Sequence, residues 1–202
     1  MIYYVSHKYK YAFPFIRKTG SNTIQLITLL CENKIPKLKY FAMPLIRARI
    51  LPKKYSVIEK IVPDDYKIFA CIRNPYTRIF SRYVNAKVYN HMPLYDFLKT
   101  LPNEGDLHLT SYENIISELP SRTKLFRFEE FEQSLKNILK ELKIKVQVPH
   151  IHKSQVKRTK QHKQYYDEKS KKIIENLYKW DLEKLNYTFD SYGDLPRMED
   201  LM

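Results

Sequence analysis

Cysteine is nearly absent, with only Cys31 and Cys71 in 202 residues. Both lie in apolar stretches without metal-ligand spacing, so a disulfide-stapled scaffold and a zinc module are excluded and buried, reduced thiols are expected. Long apolar runs are lacking as well. No stretch approaches the ~20 residues that a membrane-spanning helix needs, and the first residues show no charged start followed by an apolar run and a cleavage site. A cytoplasmic protein is therefore expected. Acidic residues are outnumbered, 22 Asp and Glu against 36 Lys and Arg, for a net charge of +14. That excess attracts polyanions such as nucleic acid, acidic glycans, phosphorylated cofactors or anionic membranes, and does not choose among them. No internal repeat is visible.

What is present suits one globular domain, since 44% of the residues are hydrophobic and 14% aromatic, and a chain of this length buries most of its apolar surface. The domain is expected over residues 1–189, with 190–202 as a C-terminal tail. Tyr11-Ala12-Phe13-Pro14-Phe15-Ile16 reads as a strand that stops at a polar turn. The apolar spacing of Ile24, Ile27, Leu30 and Cys31 then predicts a buried helix opened by Ser21 or Asn22. A second such unit follows. Lys67–Ile72 is a buried strand, and Asn74-Pro75 supplies an N-cap and first-turn proline for a helix from Tyr76 to about Ala86. Residues 32–66 hold four prolines and read as a crossover. Leu125–Phe128 is another strand, followed by an amphipathic helix from about Glu130. A long helix from near Asp167 carries Ile173, Ile174, Leu177, Tyr178, Leu182 and Leu185. Strands alternating with helices predict an α/β fold with a mostly parallel central sheet flanked by helices, binding ligands beyond the carboxyl ends of the strands.

The chemistry concentrates at two turns. Arg17-Lys18-Thr19-Gly20-Ser21-Asn22-Thr23, between strand and helix, combines backbone N–H groups, a helix's positive end, two cations and several hydroxyls, which suits a phosphate. It is a phosphate-binding turn like a P-loop, although the GxxxxGK[ST] pattern is absent and Lys18 precedes the glycine, which counts against an ATPase or GTPase. The other turn, Arg73-Asn74-Pro75-Tyr76-Thr77-Arg78-Ile79-Phe80-Ser81-Arg82-Tyr83, places Arg73 at the end of the second strand.

Together these residues resemble the sulfotransferases that use 3′-phosphoadenosine 5′-phosphosulfate (PAPS). Lys18-Thr19-Gly20-Ser21 is similar to their 5′-phosphosulfate loop, and Arg73 with Ser81 to their 3′-phosphate site. Leu125–Glu129, His150–Ser154, Tyr165–Glu168 and Tyr178–Asp181 are similar to the carbohydrate branch of that family. Arg17 stands where the family usually has proline, Asn22 where Ser or Thr is common, and His152 where Asn is expected. The resemblance implies Lys18 as the catalytic cation and a donor site of Arg17, Lys18, Thr19, Gly20, Ser21, Asn22, Thr23, Arg73, Ser81 and Arg158. It further implies PAP as product, no metal, and a carbohydrate or other hydroxyl acceptor, acidic ones included. On this reading the enzyme is cytoplasmic or peripheral to a membrane where glycans are assembled.

A general base is not singled out. No histidine occurs from Thr19 to Ile72, where glycan-modifying relatives often have a basic residue. The base must take a proton from the acceptor hydroxyl, and the candidates are His108, whose loop resembles an acceptor-side segment of glycan sulfotransferases, and Glu32, Glu59, Asp64 and Asp65. Lys157, Arg158, Lys160 and Lys163 form a basic loop that closes over the nucleotide, meets an acidic acceptor or is simply solvated. Two rival readings are a small-molecule kinase, against which stand the missing Mg²⁺ ligands and Walker lysine, and a basic nucleic-acid-binding domain, against which stands the scatter of the cations.

Overall fold

The structure is a computed structural model and describes residues 1–32, 58–85, 91–101, 110–146 and 162–202. Its contacts group the chain into two compact units. One comprises Met1–Ile16, Gly20–Cys71 and Arg122–Ile151, the other Arg17–Thr19, Ile72–Ser121 and His152–Met202.

The first unit holds the sheet. Its strands are β1 (Tyr3–Ser6), β2 (Tyr11–Pro14), β3 (Ile58–Glu59), β4 (Lys67–Ile72) and β5 (Lys124–Arg127), in the order β3-β1-β2-β4-β5. The sheet is mixed, a correction to the mostly parallel sheet expected: β2 and β4 pair in parallel, whereas β1 pairs antiparallel with both β2 and β3. The cause is local. The link from His7 to Lys10 is too short for a crossover, so the chain can only return beside itself in the opposite direction. Strand β4 has the expected bounds because Ile68–Ile72 is an apolar run buried along its whole length, the pattern of a strand covered on both faces.

Helix α1 (Ser21–Cys31) packs on β1, and a later helix, Phe131–Glu141, packs on β5. Ile24, Ile27 and Leu29 of the one and Leu135, Ile138 and Leu139 of the other share a core with Tyr11, Phe13, Phe69 and Phe126 of the strands. Cys31 and Cys71 are buried in that core and form no disulfide.

The second unit is helical. It contains α2 (Pro75–Asn85), α3 (Leu94–Thr100) and α4 (Tyr112–Ser117); α5 is the Phe131–Glu141 helix of the sheet unit, and α6 (Glu168–Leu177) and α7 (Lys179–Lys184) follow among the described residues. Tyr76, Phe80, Tyr83, Phe97, Leu98, Tyr166, Ile174 and Tyr178 form its core. Asp167 caps α6, accepting the Ser170 amide at 2.7 Å. The single long helix expected beyond it is divided, because Tyr178 leaves the helical region (φ −124°, ψ 31°) between α6 and α7. Residues past 189 make defined contacts, including the burial of Met198. No helix among the described residues is long and apolar enough to cross a membrane.

Candidate functional site

The turn after β2 is shaped by two residues in the left-handed region, Lys18 (φ 68°) and Gly20 (φ 82°). That conformation is open to glycine and uncommon for lysine. Glycine is also required by space, because a Cβ on Gly20 would come within 2.6 and 2.7 Å of ring atoms of Phe131. Gly20, rather than Ser21 or Asn22 as expected, is the N-cap of α1, and no side chain caps the helix. Its carbonyl accepts from the amides of Thr23 at 2.9 Å and Ile24 at 3.2 Å. Among the described residues the amides of Ser21 and Asn22 remain the open donors of the first turn. With no acidic residue in that turn, the helix end keeps its preference for an anion. Ser21 and Asn22 are half-buried and Thr23 is buried.

Arg73 directly follows β4 and is only 4% exposed. Its Nη1 donates to the Lys18 carbonyl at 2.9 Å and its Nε to Thr77 Oγ1 at 3.0 Å, while its backbone amide donates to the Tyr112 hydroxyl at 2.8 Å. The next two residues close the entry to α2. Asn74 Oδ1 accepts the Tyr76 amide at 3.0 Å, its Nδ2 donates to the Thr188 carbonyl at 2.7 Å, and Pro75 is the first helical residue. The cap and the proline are as the sequence predicts.

The Lys18 ammonium has an unusual setting. Burial first, and then the charges of Arg73 and Arg82, bring its pKa down to about 7. No carboxylate forms an ion pair with it among the described residues. A cation held beside two others and partly shielded from water lowers its free energy by gaining an anion. Arg82 was not singled out by sequence reasoning, although the signal was available: it adjoins Ser81 in the motif that begins at Arg73.

Lys18 and Arg73 are thus joined directly, and Arg82 is coupled to Lys18 through its charge. Ser81, 8% exposed, lies on α2, Thr19 is 1% exposed, and Arg17 is half-buried. Gly20, Ser21, Asn22 and Thr23 belong to the sheet unit. His108 and Arg158 lie outside the described residues, as do Lys157 and Lys160. Lys163 is exposed and ion-paired with Asp190.

The carboxylate candidates for the base are engaged within the sheet unit. Glu32 accepts from Ser6 Oγ at 2.6 Å and the Lys8 amide at 3.1 Å, and Glu59 Oε1 lies 2.6 Å from His7 Nε2. Asp65 pairs with Lys10 at 2.8 Å and Asp64 with Arg122 at 3.3 Å.

No match was found among curated proteins or among solved structures. A cation cluster beside a strand-to-helix turn fits many anion chemistries, and what separates them is the order of motifs along the whole chain. The model of the Sulfotransferase family matches residues 2–188, and the chain therefore belongs to this family of sulfate-transferring enzymes.

Proposed function

We propose that the enzyme moves a sulfuryl group from PAPS to a hydroxyl of a carbohydrate by in-line displacement. The observation that carries the donor assignment is the Lys18 ammonium, half-buried beside Arg73 and Arg82 with its pKa drawn down to about 7. Such a group answers the need of a strongly anionic donor. The sequence motifs shared with the carbohydrate branch support the acceptor class.

The proposed roles follow the chemistry of each side chain. Lys18 neutralises charge on the leaving phosphate oxygen as the S–O bond breaks, because sulfuryl transfer resembles phosphoryl transfer in needing position and charge compensation above all. The Gly20, Ser21 and Asn22 amides, the Thr19 and Thr23 hydroxyls and Arg17 serve the 5′-phosphate end. Arg73 and Ser81 read the 3′-phosphate, and Arg158 contributes a further cation. The acceptor oxygen forms the new S–O bond and gives its proton to a base, for which His108 is the proposed residue. PAP then leaves. The donor set is made of cations, hydroxyls and amides and calls for no metal.

The experiment compares PAP with adenosine 5′-phosphosulfate, which lacks the 3′-phosphate, by isothermal titration in the presence of EDTA. Wild-type protein is expected to prefer PAP, and Arg73→Ala to lose about 1.5–3 kcal/mol of PAP binding while retaining most of its affinity for the other ligand. Equal weakening of both ligands would remove Arg73 from the 3′-phosphate. Binding that requires Mg²⁺ and is equal for ATP would replace this proposal by a kinase, and preference for an oligonucleotide by a nucleic-acid-binding protein.

A further inference from the structure

Asp181 in α7 is completely buried, at 0% exposure, and Arg78 in α2 is 1% exposed. Neither has a part in the donor chemistry described above. Buried ions are commonly less stabilising than apolar residues of the same volume, so their presence asks for a reason other than stability. Asp181 Oδ1 accepts the Tyr112 amide at 2.8 Å and the Glu113 amide at 3.3 Å. Its Oδ2 has no hydrogen-bond partner among the described residues. Burial pushes the carboxyl up to about 6, opposed by the Tyr112 amide and the charge of Arg78.

Tyr112, itself 0% exposed, touches both ions. The Arg78 guanidinium carbon sits 4.6 Å from its centroid, and Arg78 Nη1 is anchored on the Thr110 carbonyl at 2.9 Å. One end of Tyr112 is therefore held by Asp181 through the backbone, and one face by a cation. Its hydroxyl accepts the amide of Arg73 at 2.8 Å. A rigid aromatic fixed at its base and on its face delivers that hydroxyl to one place only. The residue it meets is the one whose guanidinium reaches the Lys18 carbonyl.

We infer that Asp181, Arg78 and Tyr112 form a buried brace whose task is to position Arg73 for the donor's 3′-phosphate. This rests on the donor assignment made under Proposed function. The three are positioning residues and act through Arg73, whose backbone they hold while its side chain serves the ligand.

The test measures dissociation constants for PAP and adenosine 5′-phosphosulfate by titration, with thermal unfolding on the same samples. Tyr112→Phe removes only the hydroxyl. It is expected to weaken PAP on the order of tenfold, the consequence of removing the hydrogen bond that holds the Arg73 amide, and to leave adenosine 5′-phosphosulfate within about twofold. Asp181→Ala is expected to reproduce this loss of preference, and Asp181→Asn, which retains an acceptor for the Tyr112 amide, to restore most of it. Wild-type preference retained in both Tyr112→Phe and Asp181→Ala overturns the brace alone. Loss of both ligands in equal proportion, with a lowered melting temperature, overturns it in favour of a structural role. A wild-type protein that binds neither ligand overturns the donor assignment and the brace with it. Should Asp181→Ala not fold, Tyr112→Phe decides the matter by itself.

Discussion

The turns after β2 and after β4 both lead from a strand into a helix, and they are held in opposite ways. After β2 the chain passes through two left-handed residues, Lys18 and Gly20, and enters α1 with no side-chain cap. After β4 it enters α2 with Asn74 Oδ1 on the Tyr76 amide, a proline in the first position, and Asn74 Nδ2 on the Thr188 carbonyl. The second turn satisfies its own backbone. What it has to offer a ligand is side chains, chiefly Arg73. The first leaves backbone donors open and holds a lysine in a conformation that lysine seldom adopts. An uncapped, strained helix entry costs stability, and such costs are retained where the opened groups are used. A capped entry needs no such justification.

The sharpest way to break this comparison is Lys18→Met, which keeps the length of the side chain and removes its charge. Single-turnover sulfuryl transfer at saturating PAPS is expected to fall by about 10²–10³, with a smaller loss of PAP affinity, because in the proposed mechanism the charge is used most as the leaving group departs. A wild-type rate would remove Lys18 from the mechanism. The same variant tests the pH dependence. In the free protein the ammonium loses its proton near pH 7, while an anion bound beside it holds the proton on. Binding above pH 7 therefore takes up a proton, and PAP affinity should fall as pH rises from 7 to 9, by up to about tenfold per unit. Wild-type protein should show this decline by titration calorimetry in buffers of different ionisation enthalpy, and Lys18→Met should not. For the unliganded fold the sign is the reverse. A lysine whose pKa is lower folded than unfolded makes the protein more stable as pH rises through 7, since the unfolded chain then holds the extra proton.

A smaller effect is expected from Gly20→Ala. The new Cβ meets the Phe131 ring at 2.6 Å in a backbone with φ 82°. Strain and overpacking together should destabilise the fold by about 2–4 kcal/mol in denaturant unfolding. The double variant with Phe131→Leu separates the two causes, since it relieves only the overpacking. A melting curve unchanged by Gly20→Ala would show that the turn is not held in this conformation.

The least effect belongs to the capped turn. Asn74→Ala should cost about 1–2 kcal/mol, the usual range for losing an N-cap. Asn74→Asp keeps the acceptor for the Tyr76 amide and loses only the donor to the Thr188 carbonyl, so it should cost less, and the difference between the two variants measures the cap on the Tyr76 amide. If Asn74→Ala lowered turnover as much as Lys18→Met while the protein remained folded, the contrast between an anion-serving turn and a self-satisfied one would fail.

Much of this was legible before the structure. The apolar run Ile68–Ile72 between polar neighbours defined β4 to the residue, Asn74-Pro75 marked the start of α2, and Asp167 the start of α6. These signals are local, carried by burial on both faces, by a missing N–H and by a side chain that caps its own helix. Strand β1 escaped notice because Tyr3–Ser6 is short and has meaning only beside β2. The entry to α1 was misplaced for a similar reason. Ser21 and Asn22 are good caps by type, but the φ of Gly20 and the Phe131 ring against it decide where the helix begins.

By itself, then, the chain specified the two polar turns, the cations within them and the family to which their order belongs, because motif order and local propensity are written along one dimension. Tertiary structure alone decided that the Arg73 guanidinium reaches the Lys18 carbonyl, that Arg82 adds to the field on Lys18, and that Asp181 and Tyr112 stand behind Arg73. Those relations depend on dielectric, distance and direction between residues far apart in sequence. Such quantities exist only once the chain has folded.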